Sequence, residues 1–349
     1  MKYYLPILFM VLLILSGCGG KVPTAKPATL RIMTHDSFEV SQEVVTAFEQ
    51  ANQVHLVFLK SGDAGAALNK AILSKETPLA DVFYGVDNTF LSRAVEAGIF
   101  DPYVSSGLKI IPEEYLLDPE DQLLPVDYAD VCLNYDRAYF SSHKQSIPQT
   151  FEDLLKPEYK GLLVVENPAS SSPGLAFLLA TISHFGENGY LDYWQSLKTN
   201  GLVVVEDWST AYYTNFSGSS GRGPQPLVVS YASSPAAEVV YAEKKITDAP
   251  TASITRAGTC FRQVEFVGIL KGTQNRILAE KWIDFMLGVQ FQQDMPLQMF
   301  VYPVNPQAAL PSEFIQYARE SDQPASITPE VIALNRDHWI SDWADIVLH

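Results

Sequence analysis

Hydrophobic and polar positions along the chain predict two α/β units in succession. The first unit opens with "TLRIMTH", where apolar residues alternate as on a strand. It continues with "SQEVVTAFEQAN", where a serine N-cap precedes apolar residues at helical spacing. "VHLVFLKSG", "AGAALNKAILSK" and "ADVFYGVD" extend the order to β-α-β-α-β. Because nearly every residue of the third strand is apolar, we expect it to be buried inside a parallel sheet.

The second unit begins at Lys160 and repeats this order. Its predicted strands are "KGLLVVENP", "GLVVVED" and "PLVVSY", and its predicted helices are "SSPGLAFLLATISHFG" and "STAYYTNF". α/β units bind ligands at the carboxyl ends of their strands. We therefore expect binding residues to follow the strands in both units.

Two extended segments, residues 123–137 and 259–272, alternate like β-strands and join the units. Two such connections are typical of a clamshell with two hinge crossovers. The predicted fold class is α/β, with two lobes that each hold a mixed sheet flanked by helices. Residues 29–128 and 266–349 are predicted to form lobe 1 with the C-terminal helices, and residues 129–265 to form lobe 2.

The N-terminus predicts export and lipid anchoring. Lys2 precedes an almost wholly apolar run from Leu5 to Leu15, which is short for a spanning helix and typical of a signal peptide over residues 1–17. The residues before Cys18 match a bacterial lipobox, in which the chain is cut and the cysteine is acylated. Residues 18–28 are predicted to form a flexible tether that leaves the protein anchored to a membrane in the cell envelope. An uncleaved anchor with a chance cysteine is the alternative.

The chain length and the net charge limit the fold and the kinds of partner. A chain of 349 residues with 47% hydrophobic residues exceeds what one core usually supports, which favours two lobes. The formal net charge of −16 argues against nucleic acid as a partner, since that would need clustered Lys and Arg. An acidic protein suits a cationic or neutral small ligand.

A series of short motifs then carries a family resemblance. "HDSF", "ADVFYGVDNTFL", "VDYADVCLNYDR", "NPASSSPGLAFL", "DWSTAYY", "SYASSPA", "QVEF" and "VYPVNP" stand in one order along the chain. In that order they resemble the thiamine-binding periplasmic proteins of ABC importers, which are type II solute-binding proteins. The resemblance implies a hinged, two-lobed binder that closes on its ligand and delivers it to a permease and ATPase complex. We expect a monomer that needs no cofactor.

Thiamine offers two flat heteroaromatic rings, one of them cationic, and an alcohol or phosphate tail. Trp208 and Tyr231 match aromatic positions of the family's pocket, and a serine-rich helix start suits a polar tail. Ordinary packing is the alternative for the aromatic residues, and N-capping is the alternative for the acids and serines. The expected ligand-binding residues are Asp36, Ser37, Asp87, Asp127, Tyr128, Ser171, Ser172, Trp208, Tyr231, Ser233, Phe300 and Tyr302.

The chain departs from the family pattern at several aromatic positions. His35 stands where a tyrosine is common, "FEVSQE" lacks an expected tryptophan, Ala237 replaces a tyrosine and Phe300 replaces a tryptophan. The aromatic cage is therefore thinned. Thiamine or a thiamine phosphate in a remodelled pocket, a smaller pyrimidine and another cation all stay open as ligands.

Cys132 and Cys260 fall in the two crossover segments. Crossovers of this fold class usually run side by side, so a disulfide is one outcome. We favour two unpaired, buried cysteines that act as small hydrophobic residues.

Two other functions are alternatives to thiamine binding. Adjacent tyrosines, here Tyr212 and Tyr213, serve related proteins as hard oxygen ligands for ferric iron. A secreted enzyme is the second alternative, but the chain has no H-E-x-x-H, no G-x-S-x-G, no phosphate-binding P-loop and no G-x-G-x-x-G after a strand. The sequence therefore favours a binding protein with no metal site.

Overall fold

The computed structural model describes residues 28–219 and 223–349. The predicted signal peptide at residues 1–17, Cys18 and tether residues 18–27 lie outside this part of the chain. The first strand begins at Ala28, which the prediction had counted as the last tether residue. Within the described residues, no helix combines the length and the apolar character needed to cross a bilayer.

The first lobe confirms the predicted β-α-β-α-β order. Strand β1 pairs in parallel with β2 on one side and with β3 on the other, and β3 is buried along its whole length. Ser41 caps the first helix by accepting a hydrogen bond from the Val44 amide. The elements are β1 Ala28–Thr34, α1 Gln42–Asn52, β2 Val54–Lys60, α2 Ala64–Leu73, β3 Val82–Asp87, α3 Leu91–Glu96 and β4 Phe100–Asp101.

Both predicted crossovers are long strands, and they pair with each other. Strand β5, Leu124–Asp136, runs antiparallel to β10, Phe261–Leu270, with Asp127 directly opposite Glu265. The register shifts between Glu265 and Phe266, so the strict alternation of side chains is interrupted there. The pair lies at the centre of one mixed sheet with the order β2-β1-β3-β10-β5-β8-β6-β7, in which β6 is Leu163–Glu166, β7 is Val203–Val205 and β8 is Leu227–Tyr231.

The second lobe follows the predicted order but contains further elements. "STAYYTNF" forms a π-helix over Thr210–Asn215, a wide turn that is often found at functional sites. The helix at Tyr190–Thr199 was not predicted. The elements are α4 Arg137–His143, β6 Leu163–Glu166, α5 Ser172–Phe185, α6 Tyr190–Thr199, β7 Val203–Val205, β8 Leu227–Tyr231, α7 Ser234–Val240 and β9 Thr251–Ile254, and short 3₁₀ turns lie at Ser106–Ile110, Glu113–Tyr115, Glu152–Leu155 and Pro157–Tyr159.

The C-terminal segment is mostly helical, as predicted, and contacts both lobes. Its last helix packs against α3 and α6, where the Trp343 and Trp194 rings meet edge to face at 5.5 Å. The predicted lobe boundaries, 29–128 with 266–349 and 129–265, stay a prediction. The elements are α8 Arg276–Leu287, α9 Val289–Gln298, β11 Tyr302–Pro303, α10 Ser312–Tyr317 and α11 Pro329–Val347.

Cys132 and Cys260 form a disulfide, so the preference for unpaired cysteines was wrong. The antiparallel pairing of β5 and β10 brings their Cα atoms to 4.4 Å although the residues are 128 positions apart in the chain. A bond across so long a loop removes much of the freedom of the unfolded chain.

We predict that Cys132→Ser combined with Cys260→Ser lowers the free energy of unfolding by about 2 to 5 kcal/mol, because the unfolded chain regains that freedom. Urea unfolding with and without dithiothreitol measures this. The reductant should destabilise the wild type and leave the double variant unchanged. Equal stability of the oxidised wild type and the double variant would contradict the prediction.

Candidate ligand-binding cleft

A cavity of about 490 Å³ lies between the two lobes, a size that suits a small organic ligand. The loop after β1 and the start of α2 line it from the first lobe. The π-helix, the end of β8 and helix α7 line it from the second lobe. Six of the predicted binding residues line the cavity: Asp36, Ser37, Ser172, Trp208, Tyr231 and Phe300.

The other six predicted residues do not line the cavity. Asp87 is fully buried and accepts hydrogen bonds from the Thr89 amide at 2.6 Å and from the Gln263 side chain at 3.0 Å. It holds the turn before α3 but is not its N-cap, which is Phe90, so the capping alternative is not met either. Burial raises the pKa of Asp87 to about 7. The remaining residues that were expected to contact the ligand but do not line the cavity are Asp127, Tyr128, Ser171, Ser233 and Tyr302.

Tyr128 and Tyr302 belong to a ring stack beside the crossovers instead. Tyr302 pairs with Tyr128 across β11 and β5, and their rings stack at 5.3 Å. Tyr115 stacks on Tyr128 at 4.6 Å, and the Arg262 guanidinium lies 5.2 Å from the Tyr128 ring. These rings are already in contact with protein on more than one side, which explains why they are not available to the cavity.

Trp208 and Tyr231 provide an aromatic wall on the second lobe. The Trp208 indole N–H donates to Ser230 Oγ at 2.9 Å, and one indole face stacks on Tyr212 at 5.0 Å. Tyr231 lies 6.2 Å away at an angle of 56°. Because the hydrogen bond and the stack hold the indole in place, its edge and remaining face are preorganised for a flat ligand.

Phe300 is a third aromatic residue in the cavity lining. Its backbone takes a left-handed conformation with φ of 56°, which is costly for a residue with a side chain. The ring packs edge to face against Tyr241 at 5.4 Å, and both residues line the cavity. Phe300 and Tyr241 therefore form a second aromatic group in the cavity lining.

The cleft is strongly acidic, which sequence reasoning captured only in part. Asp36 was predicted, but four further carboxylates line the cavity. Asp63 follows strand β2 as the N-cap of α2, the same position that made Asp36 a candidate, so this signal was present in the sequence. Among the described lining residues, His35 is the sole basic side chain. The missed carboxylates are Glu39, Asp63, Glu238 and Glu265.

A hydrogen-bonded network ties one of these acids to the crossovers. The Tyr84 hydroxyl lies 2.7 Å from Asp127 Oδ2 and 2.9 Å from Glu265 Oε2, and His35 Nε2 lies 3.4 Å from Glu265 Oε1. Burial and the neighbouring Glu265 charge raise the pKa of Asp127 well above its ordinary value. Burial opposes ionisation of Glu265 as well, but His35 and the hydrogen bonds from Asp127 and Tyr84 outweigh it and lower its pKa. These opposite shifts favour a neutral Asp127 beside a charged Glu265.

The two lobes touch across the cleft. Asp63 Oδ2 accepts a hydrogen bond from the Trp208 amide at 3.2 Å, and the Gly65 amide donates to the Ser170 carbonyl at 3.2 Å. A Cβ atom at Gly65 would lie 2.9 Å from that carbonyl oxygen, so only glycine permits this approach. The arrangement is that of a closed clamshell, in which the aromatic wall of one lobe is bonded to an acid of the other.

The tyrosine pair considered for iron is divided between two environments. Tyr212 is buried and its hydroxyl donates to Glu238 Oε1 at 2.8 Å, whereas Tyr213 is 57% exposed. The two rings meet edge to face at 5.4 Å. In residues 28–219 and 223–349, no group of three or more His, Cys, Asp and Glu side chains has the geometry to hold a metal ion.

The chain is similar in sequence to known solute-binding proteins. The family model for bacterial extracellular solute-binding proteins matches residues 77–319. The thiamine-binding periplasmic protein of Salmonella typhimurium is 29% identical over 98% of this chain and 98% of its own length. The protein of the same name from Escherichia coli is 28% identical over 91% of this chain and 93% of its own.

Solved structures agree on the fold. A periplasmic thiamin binding protein superposes with a TM-score of 0.78 at 26% identity, covering 91% of this chain and 96% of its own. A ferric binding protein from Campylobacter jejuni gives a TM-score of 0.72 at 16% identity, covering 91% and 99%, a likeness of fold alone. These structures are type II periplasmic binding proteins, as predicted for this chain.

We predict that Tyr84→Phe lowers the free energy of unfolding by about 1 to 3 kcal/mol, because two buried carboxyl groups lose their shared partner. Urea unfolding at neutral pH measures the change. Tyr193→Phe is the matched control, since the buried Tyr193 hydroxyl has no hydrogen-bond partner among the described residues. A cost for Tyr84→Phe no larger than that for Tyr193→Phe would count against the network.

Proposed function

This chain belongs to the family of bacterial extracellular solute-binding proteins, and we propose that it binds thiamine, or a closely related pyrimidine or cation, for an ABC importer. The observation that carries the proposal is the cleft itself, where aromatic faces and five carboxylates surround one cavity. Thiamine combines flat rings with a positive charge, and those two properties are what this cavity complements. The similarity over nearly the whole chain to proteins named for thiamine binding supports the same ligand.

Binding in this proposal begins with the aromatic residues. A ligand ring stacks against Trp208 on the second lobe, with Tyr231 beside it and Phe300 in the same cavity. Each stacking or cation–π contact contributes about 0.5 to 2 kcal/mol, so several must act together for useful affinity. Ser172, at the first turn of α5, lines the same cavity and offers a hydroxyl to the polar tail.

Charge supplies the second part of the affinity. The positive ring of the ligand lies among Asp36, Asp63 and Glu265 in a site partly shielded from water, where charge interactions are stronger than on the surface. Tyrosine and tryptophan positions of the family are His35, Ala237 and Phe300 here, and all three line the cavity. The pocket is thus remodelled relative to that pattern, with fewer rings.

Closure couples binding to delivery. The contacts from Asp63 to the Trp208 amide and from Gly65 to Ser170 exist only when the lobes meet. A ligand that bridges the lobes shifts the population toward this form, and the permease recognises the closed shape. Because Asp63 bonds to the backbone of the stacking residue, ligand stacking and lobe closure stabilise each other.

Lipid anchoring is part of the proposal. Cys18 follows an apolar run and small residues, the pattern of a bacterial lipobox, and the segment up to Ala28 is long enough to act as a tether. Acylation at Cys18 would hold the binding protein close to its membrane permease and raise its local concentration there.

We predict that thiamine binds to the purified protein and that Trp208→Ala weakens this binding by roughly tenfold, since about 1.4 kcal/mol of stacking is lost. Isothermal titration calorimetry measures both. Tyr139→Ala is the matched control, because Tyr139 is a half-buried aromatic on α4 that does not line the cavity.

The same titration tests the proposal as a whole. The free pyrimidine and Fe³⁺ are titrated alongside thiamine, with thiamine expected to bind most tightly. Binding of Fe³⁺ without binding of thiamine would replace the proposal with the iron alternative. Unchanged thiamine affinity in Trp208→Ala would remove this residue from the site.

We predict that Cys18→Ser releases the exported protein from the membrane fraction, because the acyl attachment point is lost. Fractionation of expressing cells followed by immunoblotting measures this, and radiolabelled palmitate should mark the wild type alone. Ser16→Ala is the control, since it keeps a small residue before the cysteine. Membrane retention and labelling of Cys18→Ser would contradict lipid anchoring.

A further inference from the structure

His35 is a nearly buried base at the inner wall of the cleft. It follows strand β1, is 7% exposed and has its Nε2 atom 3.4 Å from Glu265 Oε1, with no closer hydrogen-bond partner among the described residues. Gly85 makes room for the ring, because a Cβ atom there would lie 2.5 Å from His35 Cδ2. The imidazole is therefore held against the one lining carboxylate that belongs to a crossover strand.

The protons in this network can be counted. The Tyr84 hydroxyl lies within hydrogen-bond distance of both Asp127 and Glu265 but has one proton to donate. If it donates to Glu265, its contact with Asp127 needs a proton on the Asp127 carboxyl. Asp127 is fully buried and Glu265 reaches the cavity, so the neutral form belongs to Asp127 and the charge to Glu265.

Several charged or titratable groups face His35 from every side. Burial by itself would lower the pKa of His35, but the Glu265 charge, with those of Asp63 and Asp36, outweighs it and raises the pKa above its ordinary value. These carboxylates therefore favour the protonated imidazolium over the neutral imidazole. The neighbouring groups are Glu265 on β10, Asp63 at the start of α2, Tyr84 on β3, and Asp36 and Glu39 in its own loop.

We propose that Glu265 is a ligand-binding carboxylate and that His35 is its exchangeable partner, which loses its proton when a cationic ligand takes its place beside Glu265. The N–H bond of the imidazolium breaks, the proton passes to solvent, and the net charge beside Glu265 stays unchanged. This inference rests on the proposed function, because it requires a cation as ligand.

The direction of the pH effect follows from linkage. A cation near His35 lowers the imidazole pKa, so binding releases protons wherever the pH lies between the pKa of the bound form and that of the empty form. Affinity for the cation then rises with pH across this window and is flat on either side. An uncharged ligand releases no proton.

The experiment is calorimetry of thiamine at neutral pH in two buffers with different ionisation enthalpies, which gives the number of protons released. We expect a release of between zero and one proton for the wild type, and none for His35→Gln or for the uncharged free pyrimidine. His55→Gln is the matched control. His55 also pairs with a glutamate, Glu49 at 2.9 Å, but its side chain is 67% exposed and lies outside the cavity.

The outcomes separate this inference from the proposed function. Thiamine binding without proton release, or release that persists in His35→Gln, overturns the exchange and leaves thiamine binding intact. Absence of thiamine binding overturns the proposed function instead.

If thiamine does not bind, a measurement without ligand still tests the ion pair between His35 and Glu265. NMR titration of isotope-labelled histidines, assigned with His35→Gln, should show that Glu265→Gln lowers the His35 pKa. Should that variant fail to fold, Asp63→Asn should lower it less, since Asp63 is the weaker influence. A His35 pKa that is unchanged in these variants would overturn the inference.

Discussion

Two acidic side chains that face each other across the crossover strands set the character of this molecule. Asp127 on β5 and Glu265 on β10 are direct partners in the register; Asp127 is fully buried, and Glu265 is largely buried but reaches the cavity. Two charged carboxylates cannot share such a place cheaply, since an uncompensated buried charge costs several kcal/mol. Tyr84 resolves the conflict by bonding to both, which leaves one acid neutral and one charged. The strands that connect the lobes therefore also bring a negative charge to the cleft between them.

Much of the architecture could be predicted from the periodicity of apolar residues, and the failures have physical causes. The β-α-β-α-β opening, both crossovers and the closing helix at Pro329–Val347 followed from the pattern. The disulfide did not, because the distance between Cys132 and Cys260 depends on how β5 and β10 align. The same limit applies to Asp127, since the register shift beside Glu265 alters which side chains face the cavity, and alternation in a sequence does not reveal such a shift.

The residues of the candidate site could likewise be predicted only in part. Trp208 and Tyr231 were predicted because they match aromatic positions of the family's pocket at strand ends, and both line the cavity. Tyr128, which opens the first crossover, and Tyr302, in the "VYPVNP" loop, were also expected there but stack on each other outside the cavity lining. Asp63 was missed although it caps a helix after a strand, as an acid near a ligand often does. Local patterns thus mark residues near the carboxyl ends of strands, while packing decides which of them reach the ligand.

The departures from the family pattern at His35 and Ala237 both reduce the aromatic area of the cavity. His35 and Ala237 remove ring area from the cavity, while five carboxylates remain. Binding then depends more on charge than on stacking, and a ligand with added negative charge should be disfavoured. The most direct test is the ratio of the affinities for thiamine and thiamine monophosphate, measured by calorimetry in one buffer. The account predicts that thiamine binds more tightly, because the phosphate adds negative charge to an acidic cleft. Equal affinities, or tighter binding of the phosphate ester, would contradict it.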